Sequence, residues 1–303
     1  MDNLVEHPNH FDNPAGAQPA PTRSTIIAKT YHSIIESSTW NGSPAAIKKF
    51  NFPANPRASQ RWRKEIEALN LARGHPNITQ ILHSDSQTLT ITLRQEPGRS
   101  LDKHINTTTS FSTLSAQEAA AVWSQISSAL AHLHAKCNII HDDVKPDNIV
   151  FFSTAAAAAA AATTLPPHTE PAPHAVLIDF GAAITSPYAL PLNGWTPSGT
   201  PPYAPPEFVD RCKSYAGDVW GLGITLLFCF GYIPLPAGDW ILPHVFEDER
   251  VKGEMVAWLD GIEELRTSPR ISGDSDRRLL GWMLDPDPEA RIGSVELARL
   301  LNS

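Results

Sequence analysis

Cysteine is scarce in this 303-residue sequence. Its three cysteines, Cys137, Cys212 and Cys229, form no Cys-x-x-C pair and no even-numbered set, which argues against a disulfide framework and favours a reducing compartment. No positively charged start followed by an apolar segment opens the chain, so the sequence predicts no secretory signal peptide. We expect an intracellular protein, in the cytoplasm, with the nucleus as the alternative.

Long apolar runs and blocks of basic residues are missing as well. The most apolar run, Trp220 to Ile233, is shorter than the roughly 20 residues that a membrane-spanning helix needs, and it is typical of a helix buried in a protein core. With a formal net charge of -8 and no cluster of lysine and arginine, the chain is not expected to bind nucleic acid. The sequence therefore predicts a soluble protein without membrane insertion, and we expect a monomer.

Two stretches have the composition of disordered chain. Residues 1–22 are rich in proline, asparagine, alanine and histidine, and they are interpreted as a tail. Residues 153–175 hold eight consecutive alanines, Ala155 to Ala162, and then a run rich in proline and histidine. Because loop-closure entropy grows slowly with length, an insertion of this size is tolerable at a surface. We interpret it as low-complexity and mobile, with a functional role as the alternative.

The most informative stretch runs from Asn138 to Val150. Short apolar segments at both ends flank a loop of histidine, aspartate, lysine and asparagine side chains. A loop between buried strands holds polar side chains rigidly and leaves them open to a cleft. Asp143, Lys145 and Asn148 supply a base, a cation and an amide metal ligand on one loop, and phosphoryl transfer needs those three parts.

This loop and a later motif carry a family resemblance. The run His141-Asp142-Asp143-Val144-Lys145-Pro146-Asp147-Asn148 resembles the His-Arg-Asp…Asn catalytic loop of eukaryotic-type protein kinases, and Asp179-Phe180-Gly181 reproduces their Asp-Phe-Gly motif. The resemblance, of the serine/threonine type, implies an α+β, two-lobed protein kinase-like fold over 23–303. A small β-rich N-lobe with one helix is expected over about 23–96, and a larger, mostly helical C-lobe over about 97–303.

The resemblance also implies a nucleotide site in the N-lobe. Ala45-Ala46-Ile47-Lys48 is similar to the family's Val-Ala-Ile-Lys strand, and strand alternation puts Ala46 and Lys48 on one face. Ala46 leaves room for adenine, and Lys48 reaches the α- and β-phosphates; Lys49, on the other face, is the alternative. Glu65 on the next helix matches the glutamate that pairs with this lysine, with a solvated helix face as the other interpretation.

The connection between the lobes is predicted where the strand pattern breaks, from Arg94 to Gly98. Backbone groups there are expected to hydrogen-bond the adenine edge, with Leu93 behind the purine. The nucleotide-binding residues implied at the hinge and the floor of the cleft are Arg94, Gln95, Glu96 and Val150.

The resemblance gives each polar residue of the cleft a role. Asp179 and Asn148 are expected to hold Mg²⁺, whose preference is for oxygen ligands. Lys145 neutralises the moving γ-phosphoryl group of ATP, and Asp143 accepts the proton of the substrate hydroxyl. ATP and Mg²⁺ are the expected cofactors. Lys145-Pro146 and Gly199-Thr200 match the serine/threonine pattern, so the expected partners are protein substrates with serine or threonine acceptors.

Motifs in the C-lobe extend the resemblance to nearly the whole chain. The run from Gly199 to Glu207 resembles the end of an activation segment, and Asp218 opens a motif whose aspartate braces the catalytic loop. Arg291 is expected to pair with Glu207. These features build a peptide-docking lobe, and they argue against a small-molecule phosphotransferase, one of the alternatives considered.

Two departures from the family pattern carry predictions. The region that should hold the glycine-rich loop, Ala28 to Ile34, has no glycine, which predicts weaker or differently shaped nucleotide binding. The missing glycines favour a second alternative to an active kinase, namely a pseudokinase that serves as a scaffold or regulatory module. Asp142 stands where the family most often has arginine, and an aspartate repels phosphate. We therefore predict activity that does not depend on phosphorylation at Thr185, Ser186, Thr196 or Ser198.

Overall fold

The structure is a computed structural model that describes residues 25–152, 172–187, 197–237, 240, 242–273 and 277–303. The predicted tail, 1–22, and most of the predicted insertion, 153–171, lie outside the described residues. Thr196, one of the four activation-segment positions, also lies outside them.

The N-terminal part is one antiparallel sheet with a helix packed against it. The order of its five strands is β1-β2-β3-β5-β4. The strands are β1 (Ile26–Lys29), β2 (Ser33–Trp40), β3 (Ser43–Phe50), β4 (Ile81–Asp85) and β5 (Thr90–Arg94). Helix α1 (Pro56–Leu71) begins after Asn55, whose side chain accepts a hydrogen bond from Arg57 N.

The sequence pattern predicted a strand over Thr79–Leu82, a hinge that begins at Arg94 and a helix with Arg73 in its last turn, and all three bounds were wrong. Thr79 precedes β4 and donates its N–H to Leu177 O instead of joining the strand. Arg94, which was assigned to the hinge, is the last residue of β5 because it pairs with Ala45 of β3. Arg73 lies beyond the end of α1, since the chain turns at Ala72 and continues through Gly74 with a φ of 92°. The local pattern of apolar residues does not indicate where contacts with other segments or a turn will end a strand or helix.

The C-terminal part is mostly helical. Its helices are α2 (Ala116–His132), α3 (Tyr215–Cys229), α4 (His244–Glu247), α5 (Glu249–Thr267), α6 (Pro269–Ser272), α7 (Arg278–Met283) and α8 (Ser294–Leu301). The run Ser115-Ala116-Gln117-Glu118 predicts a capping box at the start of α2, and it is present, because Ser115 and Glu118 each bond the backbone N–H of the other. Helix α2 then passes into a π-helical turn, Leu133–Cys137, which delivers the chain to the catalytic loop.

Short strands frame the cleft between the two parts. Strands β6 (Arg99–Ser100), β8 (Ile149–Phe152) and β9 (His174–Leu177) form one small sheet, and β7 (Ile139–Ile140) pairs with β10 (Ile184–Thr185) in another. Strand β9 begins two residues inside the range assigned to the insertion. His174 and Ala175 are part of a strand because they pair with Phe152 and Phe151 of β8, which the composition of this segment does not indicate.

Helix α3 lies at the centre of the C-terminal core. Every residue from Asp218 to Cys229 is buried, as the apolar run from Trp220 predicted. Among the described residues, no helix is both long enough and apolar enough to cross a membrane. The α+β, two-lobed fold expected from the sequence is confirmed.

Candidate active site

A buried lysine joins the two lobes at the back of the cleft. Lys48 Nζ on β3 lies 2.7 Å from Glu65 Oε1 and 2.8 Å from Glu65 Oε2 on α1. The same atom lies 2.8 Å from Asp179 Oδ1, which follows β9. Helix α1 therefore brings Glu65 to the sheet, and Lys48 is shared between carboxylates from both lobes.

Burial and charge act in opposite directions on this cluster. Burial disfavours the charged amine of Lys48, but Glu65 and Asp179 outweigh it and raise the pKa of that amine above its usual range. Burial likewise disfavours ionised Asp179, yet Lys48 and the N–H of Gly181 hold the pKa of this carboxyl at about 2. At neutral pH the site therefore presents an ammonium and an ionised carboxylate side by side.

The alternative lysine lies elsewhere. Lys49 Nζ points to the other face of β3, where it lies 2.8 Å from Glu36 Oε2 and is half exposed. Glu65, in contrast, is 1% exposed, so its helix face is buried and the solvated interpretation was wrong. Strand alternation separated the two lysines as the sequence indicated.

Polar side chains of the catalytic loop form a second cluster around Asp143. Lys145 Nζ lies 2.9 Å from Asp143 Oδ2, and Asn148 Nδ2 donates to the same oxygen at 2.8 Å. Thr200 Oγ1 donates to Asp143 Oδ1 at 2.7 Å and accepts from Lys145 Nζ at 2.6 Å. The activation-segment threonine thus closes a ring of contacts that orients the carboxylate, and the sequence had not assigned it this position.

The backbone of the loop is held from below by helix α3. Asp218 Oδ2 accepts from His141 N at 2.7 Å, and Asp218 Oδ1 accepts from Asp142 N at 2.8 Å. His134, in the π-helical turn, is 2.9 Å from Asp218 Oδ2 and also contacts Ser294 at 2.7 Å. The bracing aspartate lies where the motif placed it, while the histidine behind it carried no recognisable sequence signal.

Asp179 has a backbone conformation that few residues adopt. Its φ of 61° and ψ of 84° are left-handed, and its side chain accepts from Gly181 N at 3.2 Å. A residue held in such a conformation requires support from its surroundings, which here is the contact with Lys48. The result is a carboxylate turned toward the cleft.

The oxygen groups facing the cleft fit a magnesium ion. Asp179 uses Oδ1 for Lys48, and Asn148 uses its amide nitrogen for Asp143, so a carboxylate oxygen and an amide oxygen remain as candidate ligands. Mg²⁺ keeps several waters and takes one or two protein oxygens together with substrate phosphates. The described residues contain no group of three or more acidic, histidine or cysteine side chains that could hold a metal ion alone.

The expected adenine region lies on the same face of the sheet as Lys48. Ala46 pairs with Leu93 across β3 and β5, and Leu93 is buried. The N–H groups of Arg94 and Gln95 donate to Gln80 O and Pro44 O. Of the three hinge residues, Glu96 is therefore the candidate N–H donor to a purine edge.

The side chains around the hinge and the floor complete this region. Arg94 Nε bonds Glu96 Oε1 at 2.9 Å, and Gln95 Oε1 accepts from Ser37 at 3.0 Å. Val150 on β8 is half-buried and pairs with Ser100 and Val176. Because Ser37 pairs with Ala46 across β2 and β3, the Ser37–Gln95 bond lies on the same face of the sheet as Ala46 and Leu93.

The turn between β1 and β2 takes the place of the glycine-rich loop. No residue from 28 to 34 has a positive φ, so the turn needs no glycine. Thr30 Oγ1 accepts from His32 N and Ser33 N, and Thr30 N donates to Ser33 O at 2.8 Å. Asn51 bonds the carbonyls of Thr30 and Tyr31 from β3's end. The backbone N–H groups of Thr30, His32 and Ser33 are thus used within the turn.

A third cluster surrounds Asp142. Its Oδ2 lies 2.5 Å from Lys213 Nζ, and Ser198 Oγ bonds both of these groups. Burial raises the pKa of Asp142 to about 6, although Lys213 and Ser198 oppose the rise. A buried carboxylate needs a cation. A buried aspartate at position 142 therefore predicts a nearby lysine or arginine, and the structure shows that it is Lys213, in an irregular loop before α3.

The predicted pair in the C-terminal core is present. Arg291 Nη1 lies 2.8 Å from Glu207 Oε1, and Arg291 Nη2 lies 2.9 Å from Glu207 Oε2. The arginine side chain is fully buried, so this is a two-bond fork in a dry environment. It anchors the end of the activation segment against the loop that follows α7.

The family comparison agrees with this architecture. The protein kinase domain family matches residues 32–300, which is most of the chain. A lobe-bridging lysine, a braced loop after β7 and an Asp-Phe-Gly turn define the class as a two-lobed, protein kinase-like fold. The chain belongs to the protein kinase family.

Several curated proteins are similar to this chain. Serine/threonine-protein kinase ppk34 of Schizosaccharomyces pombe is 28% identical over 248 residues, which are 78% of this chain and 59% of that protein. Maternal embryonic leucine zipper kinase of Xenopus tropicalis is 26% identical over 271 residues, 87% of this chain and 35% of that protein. Human ribosomal protein S6 kinase alpha-4 is 27% identical over 183 residues, which are 59% of this chain and 21% of that protein. The chain thus spans only part of each relative's length.

Proposed function

We propose that the chain is a protein serine/threonine kinase that transfers the γ-phosphoryl group of ATP to serine or threonine hydroxyls of proteins. The observation that carries the proposal is the position of Lys48 Nζ within 2.8 Å of both Glu65 and Asp179. The family implies ATP as substrate and a general dependence on Mg²⁺. The serine/threonine specificity is supported by Lys145-Pro146, by Thr200 and by similarity to the serine/threonine-protein kinase ppk34.

Each proposed role follows from a contact. Asp143 is the base that orients the acceptor hydroxyl and takes its proton, because Thr200, Lys145 and Asn148 hold its carboxylate in one orientation. Lys145 also carries the positive charge closest to that carboxylate and is proposed to neutralise the transferred group.

The remaining roles concern the nucleotide. Lys48 is proposed to contact the α- and β-phosphates, with Glu65 keeping its ammonium in place. Asp179 and Asn148 would hold Mg²⁺, which supplies positive charge to the phosphates when it is bound. Ala46, Leu93 and Val150 would line the purine, and the backbone N–H of Glu96 would face its edge.

A specific observation favours a second candidate. In the β1–β2 turn, Thr30 Oγ1 accepts from the N–H groups of His32 and Ser33, which are the kind of donor that a phosphate-binding loop would offer. A pseudokinase that binds nucleotide weakly and acts as a scaffold would tolerate this turn. The ring of contacts around Asp143 argues for catalysis, because a scaffold has no use for an oriented base.

The test is transfer of radiolabel from ATP to a generic protein substrate, with wild type, Asp143→Ala and Asp260→Ala compared. Removing the base should lower the rate about 10²–10⁴-fold. Asp260→Ala removes an exposed carboxylate on α5 and should leave the rate unchanged. Equal signals from wild type and Asp143→Ala would overturn the kinase proposal and leave the scaffold.

A further inference from the structure

The cluster of Asp142, Lys213 and Ser198 connects three segments of the C-terminal lobe. Asp142 belongs to the catalytic loop, Ser198 to the activation segment and Lys213 to the loop before α3. The side chains of Asp142 and Lys213 are 10% and 7% exposed, so little water reaches their ion pair. Ser198 donates its hydroxyl proton to Asp142 and accepts from Lys213.

The backbone beside Ser198 packs closely against the catalytic loop. Gly199 has a φ of 89°, and a Cβ built on it would lie 2.7 Å from Asp142 O. One residue further, Thr200 bonds the proposed base Asp143. Thr200 is two residues from Ser198, and Gly199 between them packs against Asp142 O, so an outward displacement of Ser198 pulls on the backbone that positions Thr200.

A phosphate on Ser198 would be repelled by the negative charge of the Asp142 carboxylate. It would add a charge of about -1.5 to -2 and remove the hydroxyl proton that Asp142 now accepts. Lys213 already pairs with the Asp142 carboxylate, and the side chain of Asp142 is only 10% exposed. A dianion placed beside a buried carboxylate is repelled and also loses its hydration.

We propose that Ser198 is an inhibitory phosphorylation site, at which a phosphate expels the activation segment from Asp142 and withdraws Thr200 from the catalytic base. The effect on catalysis rests on the proposed kinase function, whereas the expulsion does not. Ser198 is half-buried, so a modifying enzyme reaches it when this segment has moved out, and the phosphate then blocks its return.

The modification itself is an ordinary serine phosphorylation. A protein serine kinase, which includes a second copy of this chain, transfers the γ-phosphoryl group of ATP to Ser198 Oγ. The bond from the γ-phosphorus to the bridging oxygen breaks and ADP leaves. The new bond forms to Oγ, and the hydroxyl proton passes to the base of that kinase.

The decisive experiment measures hydrogen exchange in the peptide 197–204 of the full chain. Wild type is compared with protein that carries genetically encoded phosphoserine at 198 and with Ser198→Glu, Ser198→Ala and Thr113→Glu. Tyr203 N and Ala204 N are protected in the closed segment by Thr200 O and Pro201 O. We expect at least about tenfold faster exchange with phosphoserine or glutamate at 198. Ser198→Ala should exchange nearly as wild type.

Two variants separate charge repulsion from simple disruption. Thr113→Glu adds the same charge as Ser198→Glu at an exposed loop residue, and it should not alter exchange in 197–204. Adding Asp142→Asn to Ser198→Glu removes the repelling carboxylate and should return exchange most of the way to that of Asp142→Asn alone. Unchanged exchange on phosphorylation, or failure of Asp142→Asn to restore protection, overturns the proposal.

Activity gives an independent readout. If wild type transfers phosphate, phosphoserine at 198 should lower kcat at least about tenfold with little change in KM for ATP. If wild type shows no transfer, the proposed function fails, but the exchange experiment still decides whether phosphate expels the segment. The two failures are therefore distinguishable.

Discussion

Lys48 Nζ lies 2.8 Å from Asp179 Oδ1 although 131 residues separate them in the sequence. One residue comes from the third strand of the N-terminal sheet and the other from the turn after β9. Glu65 completes the contact from helix α1. This single ammonium holds the two lobes in the arrangement that a shared nucleotide cleft requires.

Removing that ammonium should destabilise the fold. Lys48→Met leaves Glu65 and Asp179 without their cation, and an uncompensated buried charge costs about 3–5 kcal/mol. Urea denaturation measures the loss in free energy of unfolding. The matched control is Lys49→Met, because this neighbour forms a half-exposed pair with Glu36 and such pairs contribute about 0–1 kcal/mol.

A second variant checks the cause of that loss. Adding Glu65→Gln to Lys48→Met removes the unpaired carboxylate, so part of the lost stability should return. Equal losses in free energy of unfolding from Lys48→Met and Lys49→Met would mean that the buried ion pair does not bridge the lobes in the way described. The same conclusion would follow if the double variant were no more stable than Lys48→Met.

Strand alternation and motif order were sufficient to predict that Lys48, and not Lys49, faces Glu65 and Asp179, and that Asp143 and Asn148 share one loop, while the catalytic and metal-binding roles of these residues stay predictions. These signals are local, since each depends on residues within a few positions. The predicted strand over Thr79 failed because Thr79 bonds Leu177, almost one hundred positions away. A contact of that kind leaves no periodicity in either segment.

The residues that the sequence did not predict are those whose contacts form with distant segments only in the folded chain. Lys213 lies in an irregular loop, and only the folded chain brings it to Asp142. His134 lies in a π-helical turn that helical periodicity does not foresee. Thr200 was noted as a specificity signal, while its bond to Asp143 depends on the path of the activation segment.

The titration of Asp142 should appear in the stability of the protein. Burial raises the folded-state pKa of this carboxyl to about 6, above the ordinary value of 3.8. The folded protein therefore binds a proton more readily than the unfolded chain. The contribution of this group to stability is fully present below about pH 4 and is lost as the pH rises through about 6.

Comparison with Asp142→Asn isolates that contribution, because asparagine does not titrate. Relative to this variant, wild type should gain up to about 3 kcal/mol in free energy of unfolding as the pH falls from 7 to 4. Urea denaturation at several pH values measures the difference. A difference that falls toward acid would mean that Lys213 outweighs burial and holds the pKa below 3.8.

Catalysis should not require phosphate on the activation segment. Asp142 occupies the position from which an arginine would bind such a phosphate, and Lys213 and Ser198 already satisfy it. Phosphatase treatment should therefore leave the rate of phosphoryl transfer to a protein substrate at its starting value or above it. Intact-mass measurement verifies that phosphate has been removed. Loss of most activity, with recovery on rephosphorylation, would contradict this prediction.

Gly199 should be intolerant of a side chain because it touches the catalytic loop. A left-handed φ of 89° costs an alanine about 1–2 kcal/mol, and the added Cβ would also lie 2.7 Å from Asp142 O. Gly42, in the turn between β2 and β3, has a φ of 80° and nothing within 4 Å of the corresponding position. Both alanine variants therefore share the conformational penalty, and only Gly199→Ala adds the clash.

The clash should be visible in both stability and rate. Gly199→Ala is expected to lose more free energy of unfolding than Gly42→Ala and to lower kcat about tenfold or more, since Asp142 adjoins the proposed base and Thr200 bonds it. Gly42→Ala should lose stability alone. Urea denaturation and steady-state transfer assays on the two variants provide the comparison. Equal losses in both quantities would mean that the contact between Gly199 and Asp142 does not position the catalytic loop.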